Sequence, residues 1–234
     1  MYGKIKAALR IPLNLYEMCI SYWPGPIGER LRYAYWRKRL GYLGRNVKID
    51  VGVHFQNPQY ISIDDNAWID KGVILMAGPD SSSRPRRYVE NRNYSLDKGR
   101  IHIGKSVHIG AFSIISGIGG VCICDECGFS SGVKVFSFSN HFRSDMDPSD
   151  TSFHFGPLVE HSRQFVIEGP VVLEENVGVA LDAIILPGVT IGKYSFVAIN
   201  SVVTSSFEEN SLIAGNPALR VTARFRERKS SENE

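Results

Sequence analysis

No stretch of this chain is apolar for long enough to cross a membrane. Residues 1–24 come nearest, but Lys4, Lys6, Arg10, Pro12, Asn14 and Glu17 interrupt them, and a span needs roughly 20 unbroken apolar residues. No small-residue cleavage site follows a clean apolar core, which argues against a secretory leader. Cysteine is scarce. Cys19, Cys122, Cys124 and Cys127 are the four in 234 residues, too few for the framework of a small secreted domain, so a reducing cytoplasm is expected, or the inner face of its membrane. Excess charge of one sign is lacking as well: a net +3 is too small to point to nucleic acid. The Gly117-Ile118-Gly119-Gly120 run is followed by no phosphate-loop lysine, so it reads as a corner insertion.

What the chain does have is a period of six. From Leu173 the positions six apart are Leu173, Val179, Ile185, Ile191, Val197 and Val203, all aliphatic, and four places after the first five stand Val177, Ala183, Val189, Ser195 and Ser201, all compact. A helix repeats its apolar residues at three and four, a strand at two. A strict six fits a coil of three short strands that turns the aliphatic residue and the compact one toward a common axis and stacks on the next coil. Each inward Val, Leu or Ile contributes roughly 1.5–3 kcal/mol, so a stack is stable where one coil would not be. The same spacing runs earlier through Ile49 with Val53, Ile63 with Ala67, Ile69 with Val73, Ile103 with Val107, Ile109 with Ser113, Ile123 with Cys127 and Phe129 with Val133. The 22 glycines fall mostly at the corners, where the backbone turns sharply.

Leu173–Val203, with Leu186-Pro187-Gly188-Val189-Thr190-Ile191-Gly192, Asn200-Ser201-Val202-Val203-Thr204 and Ala214-Gly215-Asn216-Pro217-Ala218, resembles the hexapeptide-repeat acetyltransferases, of the sugar and surface-polysaccharide O-acetyltransferase and xenobiotic acetyltransferase kinds. The resemblance implies an all-β, left-handed parallel β-helix, a homotrimer, and acetyl-coenzyme A as co-substrate between neighbouring prisms. On that reading residues 1–46 are an N-terminal helical segment, 47–204 the β-helix with insertions at 79–99 and 137–170, and 205–234 an exit with a short helical tail. A helix is expected from Pro26 to Leu40, with Ile27, Leu31, Tyr35 and Leu40 on its apolar side and Arg30, Arg32, Arg37, Lys38 and Arg39 on its basic one. Residues 1–24 are expected to lie on the prism as an amphipathic helix, and the basic side to be solvated. The alternative for both is peripheral membrane contact through residues 1–40.

The second insertion holds Ser139-Asn140-His141-Phe142-Arg143 and then Asp145, Asp147 and Asp150. In the resembled family a histidine on such a loop, often in an Asn-His pair, is the general base, and His141 matches it. The residue type suits the chemistry, because imidazole removes a proton from a sugar hydroxyl near neutral pH. Backbone N–H groups or the Asn140 amide would serve the oxyanion, and Asp145, Asp147 or Glu168 would orient the base. His154 and His161 are its rivals. By position, the resemblance carries coenzyme contacts to Ala180, Leu181, Ala198, Ile199, Thr204 and Ser205, and a phosphate contact to Arg220, one place later than the family pattern has it. Ser205 stands where lysine is common.

Metal is not expected. Ile123 is an inward position, so Cys122 and Cys124 turn outward while Cys127 turns inward, and one ion cannot be held from both sides of a wall. His102 and His108 each precede an inward isoleucine and are expected to stack on one outer face. The function expected is acetyl transfer to a sugar or lipid-linked glycan hydroxyl in bacterial surface-polysaccharide assembly. The alternatives are a xenobiotic or amino-sugar N-acetyltransferase, a metal-dependent hydratase on the same prism, and a non-catalytic scaffold.

Overall fold

A computed structural model of the chain describes residues 15–225 apart from Pro157. Three parallel sheets form the walls of a triangular prism. The first face stacks Tyr42–Leu43, Ile61–Ile63, Ile101–Ile103, Val121–Ile123, Val171–Leu173 and Thr190–Ile191. The second begins with Lys48–Ile49 and Trp68–Ile69 and continues through His108–Ile109, Gly128–Phe129, Gly178–Val179 and Phe196–Val197. The third stacks His54–Gln56, Ile74–Met76, Ile114–Ser116, Lys134–Phe136, Ile184–Ile185 and Val202–Val203. Each coil visits the faces in turn, so Leu173 pairs with Ile191 one full coil later.

The six-residue period sets the core. Leu173, Ile185, Ile191, Val197 and Val203 are fully buried, as are Val177, Ala183, Ser195 and Ser201 four places on. The buried serines are satisfied: Ser195 Oγ accepts from Ser211 N at 3.0 Å and donates to Glu208 O at 3.2 Å. At the corner after the first face Asn46, Asn66 and Asn176 adopt left-handed backbone, φ 55, 63 and 57°, a conformation that asparagine tolerates better than most residues.

Four expectations need correction. The tail is a hairpin, not a helix. Ser211–Gly215 joins the second face and Ala218–Ala223 folds back antiparallel on it, so the Gly215-Asn216-Pro217 exit is its turn. Arg226–Arg228 lie outside the described residues. Six residues span one face, not one coil, so His102 and His108 do not stack: His102 sits on the first face, 3.6 Å from Asp64, and His108 on the second, 3.1 Å from Asp70. The insertions are not plain loops, as described below.

The fourth correction concerns the helix, which spans Gly25–Trp36. It buries Gly28, Arg32, Tyr35 and Trp36 and leaves Ile27 and Leu31 outside. Arg32, expected on the basic side, donates from Nε to Ile49 O at 2.7 Å and from Nη1 to Trp23 O at 2.6 Å and Ile20 O at 3.2 Å. Three carbonyls thus engage Nε and Nη1 of the buried guanidinium and tie the cap to the first coil, while burial pulls its pKa below the ordinary arginine value. Residues 15–22 are helical too, and the earlier part of the expected N-terminal helix lies outside the described residues.

Candidate active site

Both insertions leave the prism at the same corner. Residues 79–99 follow Ile74–Met76 and residues 137–170 follow Lys134–Phe136, and each returns to the first face. Their meeting makes a fourth, three-stranded sheet. Phe138–His141 pairs antiparallel with Phe165–Glu168, which pairs parallel with Arg86–Tyr88 from the other insertion. Tyr94 lies across Gly120, whose φ of +106° and lack of a Cβ, which would sit 2.4 Å from the tyrosine ring, allow the approach. Asn91 fastens the same insertion to later coils, donating to Pro170 O at 3.0 Å and accepting from Thr190 Oγ1 at 2.9 Å.

Charge holds this sheet where the prism uses hydrocarbon. Buried Glu168 accepts from Arg86 at 2.5 Å and lies 3.3 Å from Lys98. Arg86 and Arg84 both reach Asp80 at 3.1 Å. Burial works against the Asp80 carboxylate, but bonds from Ser82 and Arg84 outweigh it and hold its pKa below the ordinary value.

His141 ends the strand Phe138–His141. Its Nδ1 lies 2.7 Å from Arg143 O, which as a carbonyl can only accept, so the proton sits on Nδ1 and Nε2 keeps its lone pair. Asp145 Oδ1 stands 3.7 Å from the same Nδ1. The other carboxylate oxygen is 2.9 Å from Arg87 of the first insertion, an ion pair too poorly angled for a hydrogen bond. Of the three acids named from the sequence, Asp145 is beside the histidine, Asp147 accepts from Ser149, and Glu168 is engaged by Arg86 and Lys98. His154 is exposed against Arg163, and His161 is exposed in the short 3-10 helix His161–Arg163.

Asn140 and His141 do not share a cavity. Alternation along the strand turns them to opposite faces, and His141 packs against Phe142 and Phe165, with ring centroids 4.5 and 6.0 Å away. Asn140 lines a cavity of about 550 Å³ between the third face and the insertion, with Phe136, Phe138, Phe155, Ile184 and Arg84. Asn140 Oδ1 is buried with no hydrogen-bond partner among the described residues. A buried acceptor without a donor costs about 1–3 kcal/mol, a deficit that an N–H or O–H of a bound molecule would remove.

The expected coenzyme residues fall on two edges of the third face. Ala180, Leu181, Ala198 and Ile199 follow Val179 and Val197 at the corner leading onto it, with Leu181 and Ile199 exposed. Thr204 and Ser205 follow Val203 at the corner leading off it, on the insertion side, and are exposed. Arg220 is exposed on the terminal hairpin, opposite Ile213. One chain therefore does not gather these residues into a single pocket. Cys122 and Cys124 are partly exposed on the outer wall and Cys127 is buried, as their spacing predicts. Burial pushes the Cys127 thiol up to about 12.

No protein-family model matches the chain. Among characterised proteins it is similar to the dTDP-4-amino-4,6-dideoxy-D-glucose acyltransferase of Escherichia coli, 26% identical over 189 residues, which are 80% of this chain and 85% of that protein. Among solved structures it superposes on a mutant of AntD, an N-acyltransferase from Bacillus cereus in complex with dTDP and coenzyme A. The TM-score is 0.66 at 25% identity, covering 82% of this chain and 89% of AntD. A hexapeptide-repeat acetyltransferase from Vibrio cholerae O1 biovar eltor, complexed with acetyl-coenzyme A, shares the fold with a TM-score of 0.53 at 24% identity over 93% of this chain and 87% of its own. The prism is thus a left-handed β-helix, and the chain is an acyltransferase similar in sequence and fold to hexapeptide-repeat acetyltransferases.

Proposed function

We propose that this acyltransferase moves an acyl group from acyl-coenzyme A to the amino group of a nucleotide-linked amino sugar, with His141 as general base. The observation that carries the base assignment is the tie from Nδ1 to the Arg143 carbonyl, which leaves Nε2 as the proton acceptor. Support for the acceptor comes from two similar proteins: one is named for a dTDP-linked 4-amino sugar, and the other is an N-acyltransferase solved with dTDP and coenzyme A. On that support we take an amino-sugar acceptor ahead of the sugar hydroxyl that the resemblance alone suggests.

In the step proposed, the acceptor nitrogen attacks the thioester carbonyl carbon and forms the C–N bond. His141 Nε2 takes the nitrogen's proton, the C–S bond breaks, and the proton passes to the departing thiolate. No covalent intermediate on the protein is required. Asp145 steadies the imidazolium that forms, and Arg87 holds Asp145, so a residue of the first insertion positions the base of the second. The orphan oxygen of Asn140, on the opposite face of the strand from His141, suits an N–H or O–H of a bound molecule away from the reacting nitrogen. Because the coenzyme residues sit on two edges of one face, we read the groove as completed by a neighbouring copy, in keeping with a homotrimer.

The test is thiol release from acetyl-coenzyme A with a dTDP-linked 4-amino-4,6-dideoxy sugar and, separately, with its 4-hydroxy counterpart. Release with the amine alone is expected. Release with the hydroxyl alone would restore the O-acetyltransferase reading, and release with neither would remove nucleotide sugars as acceptors.

A further inference from the structure

The N-terminal cap buries a cation and exposes hydrocarbon. Helix Gly25–Trp36 encloses the guanidinium of Arg32 yet leaves Ile27 at 63% and Leu31 at 37% exposure, with Trp23 just before it at 52%. Ile27 and Leu31 are four apart, so they stand one above the other. Leu15, Tyr16, Met18 and Tyr22 of the preceding helical residues are exposed too. Seven of the 21 exposed large apolar side chains of the described residues thus come from residues 15–31, a concentration that scattered surface hydrophobes do not show. Arg30, Arg37 and Lys38 are exposed on the same helix and just beyond its end. Residues 1–14 add Lys4, Lys6 and Arg10 and no acid.

An indole, three tyrosine or methionine side chains, aliphatic groups and exposed cations make the chemistry of a bilayer's interfacial zone. Aromatic rings settle at headgroup depth, aliphatic groups enter the acyl boundary, and cations meet anionic phosphates. No helix among the described residues is long and apolar enough to cross a membrane, so the segment would lie on the surface and not span it. We infer that this end of the prism docks on an anionic phospholipid surface through Trp23, Ile27 and Leu31, with Arg30, Arg37 and Lys38 as its electrostatic partners. The inference is independent of the acceptor and of the role of His141.

The test is flotation of the full-length protein with phosphatidylcholine vesicles, with and without about one third phosphatidylglycerol. Binding is expected only with the anionic lipid, and raising salt to about 0.5 M should weaken it, since screening shortens the reach of exposed charge. The triple variant Trp23→Ser/Ile27→Ser/Leu31→Ser should lose at least about tenfold in partitioning. Arg30→Glu/Arg37→Glu/Lys38→Glu should lose more at low salt, at about fivefold per cation. Both variants should keep wild-type melting temperature, sedimentation and thiol release. Absence of binding to anionic vesicles, or equal binding by both variants, would overturn the inference. A fall in oligomeric state of the serine variant would assign the patch to a subunit contact and overturn it equally.

Discussion

The wall of the prism and the sheet at its corner are built on different principles. In the wall, strands of two or three residues each deliver one or two aliphatic side chains to a closed interior, and Ile61, Ile101, Val121 and Val171 are all fully buried in neighbouring coils. The arrangement is repetitive, and any coil resembles the next. The corner sheet occurs once. Much of its adhesion is ionic, with Asp80, Glu168 and Asp145 facing Arg84, Arg86, Lys98 and Arg87. Hydrocarbon packing gives stability without direction, whereas a charged network fixes a few side chains in one geometry. The wall is therefore where this molecule keeps its folding free energy, and the corner is where it holds a histidine in place.

Each prediction below tests that division. Ile123→Ala, in the middle of the wall, should destabilise the protein by about 2–5 kcal/mol, measured by urea unfolding, while the remaining folded protein keeps its turnover. A loss below about 1 kcal/mol would mean that the wall does not carry the stability. Asp145→Asn removes the negative charge beside His141 and, on the proposed mechanism, should lower kcat about tenfold with little change in melting temperature, the cost of one charge-assisted contact. Arg87→Ala breaks a pair that is half in solvent, so its effect should be a few-fold at most, on kcat and not KM. A larger effect on KM would make Arg87 a substrate contact.

The smallest effect is a pH dependence. The Asp80 carboxylate has its pKa held below the ordinary value despite burial. Its stabilisation is complete above the ordinary carboxylate range, near pH 4, and is lost as pH falls through the folded value. The melting-temperature difference between wild type and Asp80→Asn should then shrink below about pH 4. A constant difference down to acid pH would show that Asp80 acts through its shape alone.

The same division governs what the amino-acid sequence disclosed. The wall was legible because its rule repeats: Leu173 to Val203 define the period, and every inward position they imply is buried. At the corner the sequence singles out His141 but not the sheet that carries it. Arg86–Tyr88 and Phe165–Glu168 become strands because two insertions leave at one corner and meet, a proximity that no local pattern encodes. The hairpin Ser211–Ala223 is similar, since Ala218–Ala223 has helix-forming residues but finds a sheet edge to join. The cap inverted the usual rule. Arg32 is buried because Ile20, Trp23 and Ile49 offer carbonyls, and hydrophobicity alone cannot anticipate that. His102 and His108 were misplaced by equating six residues with a coil when three faces make one.

The most direct test compares His141→Ala with wild type in two readings of one preparation: melting temperature and acyl-coenzyme A-dependent thiol release. A general base on a non-structural corner predicts an unchanged melting temperature and a rate lower by about 10²–10⁴-fold. Undiminished thiol release from the variant, with melting preserved, would contradict the account.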